Sequence, residues 1–315
     1  MNKYFVSIYL IFCCTLTACN NSSKKGSEDT KLTLSKNEEK SLVALCQLWG
    51  FLKYHHPAVA EGHYDWDMEL IKRIPDIREA EDESIWKGKL DDWLDSLPPI
   101  EEKVKKFSEL RVKLEPDYGE LFNEAYFNPE TIEKIKYILK NGEIISNHYV
   151  KVDNSYLAFT NESDYEDMIY PDTSYRLLAL FRYWNIVNYF FPYRNLCDQK
   201  WSEVLSEMLS VFIDAKNQEE YINACRLLAA KIDDSHAYVG NDLIASIVGI
   251  HKVPFETRFI EDKLIVTSYT ADVENIKKKI EIGDIITKID EETVEDIVKR
   301  MLPYTSASNY TIKQR

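Results

Sequence analysis

Trp49, Tyr54, Pro57 and Trp66 recur as Trp184, Tyr189, Pro192 and Trp201, each 135 residues later and without a gap. Phe51 and Leu52 align with Ile186 and Val187 at the same offset, and Leu70 aligns with Leu205. An ungapped internal repeat restricts the fold strongly, because both copies must satisfy one local geometry. Each copy reads as an amphipathic helix stopped by proline, a short turn, and a second helix. Proline ends the first helix by pushing the residue before it out of the α region. Large aromatics at helical spacing are expected to bury against the partner helix. Two matched helical hairpins, about residues 45–77 and 180–212, are therefore expected to pack together within a helical region spanning 41–240.

The rest of the chain fills in around that repeat. Helical patterns run over Glu83–Leu94, Glu101–Val112, Pro129–Leu139 and Glu219–Lys231. A β-hairpin is expected near 144–160, turning at Asp153-Asn154-Ser155. From Val253 the period changes to two. Val253–Ile260 and Lys263–Tyr269 read as strands around Glu261-Asp262, and Ile282–Asp290 as a glycine turn leading into a third strand. Val294–Leu302 closes the pattern as a short helix. Residues 241–315 thus read as a small β-sandwich with a flanking helix, and the fold class as α+β.

Composition narrows the partners. With a net charge of −14, the chain would repel phosphate, so nucleic acid is excluded as a partner. The N-terminus carries an address: Lys3 precedes an apolar stretch from Tyr4 to Thr17, too short for a permanent membrane span. It ends in Leu16-Thr17-Ala18-Cys19, which resembles a bacterial lipobox. Residues 1–18 then read as a lipoprotein signal peptide, Cys19 as the lipidated residue, and 19–40 as a flexible linker. This implies a lipid-anchored protein of the bacterial cell envelope. Cys46, Cys197 and Cys225 are three in number, without Cys-x-x-Cys spacing, and read as core rather than as disulfides or zinc ligands.

The chemistry-bearing candidate is Ser235-His236, in the run Lys231-Ile-Asp-Asp-Ser-His-Ala-Tyr-Val239 between an amphipathic helix and an expected strand. A histidine fixed at such a junction has the parts of a positioned base. On spacing alone the favoured reading is a helix end, with Asp233, Asp234 and Ser235 forming a polar turn and His236 packing or capping. Three segments in this order, however, resemble the tail-specific (C-terminal processing) serine peptidases, and more narrowly their tricorn-like branch. They are Leu228-x-Ala-Lys-Ile-Asp-Asp-Ser-His-Ala-Tyr238, Ile282-Gly-Asp-x-Ile-x-x-Ile-Asp290, which looks like the later strands of a PDZ domain, and Pro303-Tyr-Thr-Ser-Ala-Ser-Asn309.

The resemblance covers residues 41–315 and implies a peptide-bond hydrolase working through an acyl-enzyme without metal or organic cofactor. It makes His236 the general base and Ser235 its hydroxyl partner, with no catalytic step for Asp233 or Asp234. It also makes 241–315 a PDZ-like module, possibly incomplete, that takes up a polypeptide substrate or C-terminal tail. No serine sits in a Gly-x-Ser-x-Gly elbow. The Ser-x-x-Lys pairs Ser22/Lys25 and Ser84/Lys87 suggest no buried dyad. The nucleophile and oxyanion donors are thus expected in a domain following residue 315, and this chain alone is expected to be inactive.

Two other readings compete: a non-catalytic lipoprotein that binds polypeptide C-termini, and a carbohydrate-binding lipoprotein presenting its tryptophans to sugars. The second of these requires Trp49, Trp66, Trp184 and Trp201 to be exposed. A metal site drawn through His55, His56, His63 and Asp65 conflicts with the repeat, which places Phe190, Phe191 and Asp198 at the three histidine positions.

Overall fold

Short polar residues set the starts of the helices. In the computed structural model, which describes residues 34–102, 116–153, 156–240, 244–245, 252–270, 274 and 277–314, Ser35 caps α1 (Lys36–His55) by accepting from the Glu38 N–H at 3.1 Å. Asp65 caps α3 (Trp66–Arg78) and Asp82 caps α4 (Glu83–Asp95) in the same way. Asp172 accepts from both Ser174 and Tyr175 to open α6 (Thr173–Phe190). Each such cap contributes about 1 kcal/mol by satisfying an orphan donor. The Ser35 cap starts α1 inside the segment 19–40 that reads as linker. The signal sequence and Cys19 lie outside the described residues, as does the helical pattern Glu101–Val112 for most of its length.

The class is α+β. The described residues up to Ala224 and those from Cys225 onward form two compact units, the boundary falling within α8 (Gln218–Ala230). In the first unit α1 is continuously buried from Ser41 to Tyr54 and packs against α3, α4, α6 and α7 (Trp201–Asp214). Pro57 begins the single turn α2 (Pro57–Ala60), where its missing N–H costs nothing. α5 (Pro129–Asn141) precedes the hairpin β1 (Val150–Asp153) and β2 (Tyr156–Phe159).

The four repeated tryptophans make two reciprocal pairs. Trp49 Nε1 donates to the Trp66 carbonyl at 2.9 Å and Trp66 Nε1 donates back to the Trp49 carbonyl at 3.0 Å. Trp184 and Trp201 do the same at 2.8 and 2.9 Å. Each indole thereby buries a large apolar surface without leaving its N–H unpaired. All four are at most 4% exposed, which removes the aromatic platform that a sugar-binding reading requires. α1 and α6 come together at Gly50 and Asn185, themselves 135 apart in sequence. A Cβ on Gly50 would fall 1.9 Å from Asn185 Oδ1, so only glycine admits the fully buried carboxamide.

In the second unit β3 (Phe255–Ile260) and β4 (Lys263–Tyr269) form a hairpin. Glu261 and Asp262 take φ of 50° and 59° in its two-residue turn, the positive-φ pair that matches strand twist. Gly283, at φ 101°, donates to the Val266 carbonyl and leads into β5 (Ile285–Ile286), which completes the order β3-β4-β5. The expected third strand divides here. Past Thr287 the chain leaves that sheet, and β6 (Lys288–Ile289) pairs instead with β7 (Glu292–Thr293) across Asp290 and Glu291. Thr293 then caps α9 (Val294–Met301).

Candidate functional site

Ser235 and His236 sit in an exposed turn after α8. No strand follows directly: residues 237–240 have no regular structure. The turn is made by Asp233, whose φ of 50° reverses the backbone. That reversal is uncommon outside glycine, and Asp tolerates it better than most residues. Asp234 is thereby directed back toward His236. Its Oδ1 accepts from the His236 backbone N–H at 2.9 Å and lies 2.7 Å from His236 Nδ1.

Two further contacts hold this turn. Lys313 Nζ pairs with Asp233 Oδ1 at 3.0 Å, and Ser306 Oγ donates to the Asp234 carbonyl at 2.7 Å. Residues 303–309, singled out in sequence as a connecting run, thus pack back onto the histidine turn. Nearby in the same unit, the Arg226 guanidinium lies 5.0 Å from the centre of the Tyr304 ring, and burial pulls its pKa below the usual arginine range.

A carboxylate on Nδ1 fixes the neutral imidazole as the Nδ1–H tautomer and makes Nε2 the basic nitrogen. The His236 side chain is 59% exposed, so a reacting group can reach it. Sequence reasoning named His236 but assigned Asp234 no role and gave the neighbouring position to Ser235. The group on Nδ1 is the Asp234 carboxylate.

His55 and His56 are held in packing. His55 stacks on Phe51 with ring centres 4.8 Å apart. Its Nδ1 lies 3.1 Å from the Phe51 carbonyl and its Nε2 2.9 Å from the Tyr118 hydroxyl. Burial lowers its pKa to about 4. His56 is buried, with Nε2 donating to the Pro98 carbonyl at 3.2 Å, and burial lowers its pKa as well. His63 is exposed, and Asp65 is the α3 cap. Among the described residues no group of three or more His, Cys, Asp or Glu side chains has metal-binding geometry. Cys46 is buried, its thiol pKa pushed up by burial, and Cys197 and Cys225 are half-buried.

A second polar cluster, invisible in the sequence, lies inside the first unit. Lys53 is 0% exposed. It reaches Glu162 Oε1 at 2.5 Å and lies 4.7 and 4.5 Å from the Trp49 and Tyr149 rings. Arg182 pairs with Asp67 and, at 3.0 Å, with Glu162 Oε2, while the Tyr165 hydroxyl donates to Asp67 at 3.2 Å. Burial pulls the Lys53 pKa down, opposed by Glu162. At Arg182 the two carboxylates outweigh burial and raise it. With each charge paired and enclosed, this cluster reads as structural rather than reactive.

Among the described residues no helix is long and apolar enough to cross a membrane. No family model, curated protein or solved structure matches the chain.

Proposed function

We propose that this chain supplies the histidine base and a peptide-binding module of a serine peptidase of the tail-specific, tricorn-like kind. The observation that carries the reading is the 2.7 Å contact between His236 Nδ1 and Asp234 Oδ1 on an exposed turn. That is the base-and-orienter half of a triad. His236 takes the proton from a serine hydroxyl as it attacks the peptide carbonyl, then returns it to the leaving amine. Asp234 keeps the ring in the competent tautomer. Ser235, solvent-exposed at the rim of the turn, is a polar neighbour of the reacting groups.

In this reading the first unit is a duplicated helical hairpin, supported by the two reciprocal tryptophan pairs at one sequence offset. The second unit is PDZ-like, supported by the β3-β4-β5 sheet and the flanking α9, and takes up a polypeptide C-terminus by strand addition. The chain is tethered to the envelope by lipid on Cys19. The serine nucleophile comes from outside residues 1–315.

The first test is the tautomer. Nitrogen-15 shifts of neutral His236 are expected to show Nδ1–H, moving toward Nε2–H in Asp234→Ala; a parent ring already protonated at Nε2 overturns the orienting role. The second uses a serine-directed fluorophosphonate probe, expected to leave this chain unlabelled and to label a form that also carries a serine-bearing domain. Labelling of the 315-residue chain itself refutes an external nucleophile. A terminus-binding protein without catalysis is the outcome if the longer form binds C-terminal peptides yet remains unlabelled.

A further inference from the structure

Within the second unit, residues 302–313 meet the end of α8 at three places. The Arg226 guanidinium lies over the Tyr304 ring at 5.0 Å, Ser306 Oγ donates to the Asp234 carbonyl at 2.7 Å, and Lys313 Nζ reaches Asp233 Oδ1 at 3.0 Å. The run that carries these groups is itself tied down. Thr305 donates from its hydroxyl to the Met301 carbonyl at 3.0 Å and from its N–H to the Leu302 carbonyl at 3.1 Å, which fixes it to the end of α9. Asn309 then caps the short helix α10 (Tyr310–Lys313), accepting from the Ile312 N–H at 3.0 Å, and Lys313 stands in its last turn.

The Lys313 contact matters most, because it falls on the residue that makes the turn. A φ of 50° is costly for a residue with a Cβ, and the relaxed alternative is to continue α8 through Asp233. Were Asp233 helical, Asp234 and His236 would point to different faces and the carboxylate would leave Nδ1. An anchor on the Asp233 side chain opposes that change. The Lys313 and Asp233 side chains are only 21% and 15% exposed, so the anchor is shielded while the ring it serves stays open. The same contact engages the second carboxylate of the turn, and Asp234 is the one that lies on the ring.

We infer that Lys313 is a positioning residue for the His236 base, acting through Asp233 to keep the Asp234 carboxylate on Nδ1. This role rests on the reading of His236 as a base. It places the control of that base's geometry 80 residues along the chain from Asp233.

Nitrogen-15 shifts of the neutral His236 ring in the 315-residue chain give the ratio of its Nδ1–H to Nε2–H forms. Lys313→Met keeps the length and removes the charge, and is expected to lower that ratio about threefold, the worth of a partly exposed ion pair. Lys313→Arg is expected to preserve it. Asp233→Gly should preserve it too, because glycine takes the positive φ freely, and in that background Lys313→Met should have no further effect. Urea midpoints establish that each variant is folded. A Lys313→Met ratio equal to the parent's, or an equal fall in the Asp233→Gly background, overturns the positioning role and leaves the base reading standing. A parent ring already protonated at Nε2 overturns the base reading itself, and the positioning role with it.

Discussion

Replacing His55 by phenylalanine should remove a defined part of the acid sensitivity of the first unit. His55 lies among Phe51, Tyr118 and Tyr189, with Nδ1–H donating to the Phe51 carbonyl and Nε2 accepting from Tyr118. Both nitrogens are thus used by the neutral ring. Burial lowers its folded-state pKa from 6.5 to about 4. Because the folded value is the depressed one, the unfolded chain binds more protons between these two values. The neutral ring's contribution is complete above about pH 6.5 and is lost as pH falls toward 4. Between pH 7 and 4.5 this amounts to about 2 kcal/mol from the one ring. With a urea dependence of about 2–3 kcal/mol per molar, that moves the midpoint by roughly 1 M.

The assay reads the first unit alone, since all six tryptophans lie between Trp49 and Trp201, before the unit boundary at Ala224. Urea unfolding followed by tryptophan fluorescence, at pH 7 and pH 4.5, gives the parent's acid loss and the variant's. Phenylalanine already occupies the repeat-equivalent position as Phe190, so the shape is suited to a helix end of this kind. Loss of the Tyr118 hydrogen bond should cost about 1 kcal/mol at pH 7. His56, buried with its own pKa lowered, adds acid loss in both proteins and cancels in the comparison. If His55→Phe loses as much stability between the two pH values as the parent, the buried neutral imidazole is not the origin and the reasoning fails.

Two other perturbations test the interior. Gly50→Ala should destabilise by about 2–3 kcal/mol, because the new Cβ displaces a carboxamide that donates to the Phe181 and Cys46 carbonyls at 2.9 and 3.1 Å. In an Asn185→Gly background the same change should become neutral or mildly stabilising, since alanine is the better helix former; additivity of the two by urea titration would show that the close approach is not the cause. Glu162→Gln should cost about 3 kcal/mol by leaving Lys53 without its carboxylate, and adding Lys53→Met should recover at least half of it. A double variant as unstable as the single one contradicts the paired-charge account.

How far the sequence disclosed these features follows from the range of the interactions. The helix positions among the described residues, the proline stops and the burial of the four tryptophans were legible because each depends on spacing within some twenty residues. The Lys53 cluster was not, because its partners are remote. Lys53 and Glu162 are 109 residues apart, and Arg182 and Asp67 are 115 apart. The third strand was misjudged for a different reason. Ile285 and Ile289 fall on one face at period two, as in a single strand, but the positive φ values at Asp290 and Glu291 fold the chain into a separate hairpin first.

The histidine turn shows the same limit at the shortest range. Asp233 and Asp234 are chemically identical neighbours, and composition gives no reason to choose between them. The choice is made by one backbone angle. At a φ of 50° Asp233 reverses the chain, sending its own carboxylate to Lys313 and that of Asp234 to His236. Had Asp233 remained helical, Asp234 and His236 would sit two residues apart on a helix, on different faces. The contact between Asp234 and His236 is therefore a product of the helix end itself. The polar turn that the spacing favours is the same structure that holds the His236 ring against a carboxylate.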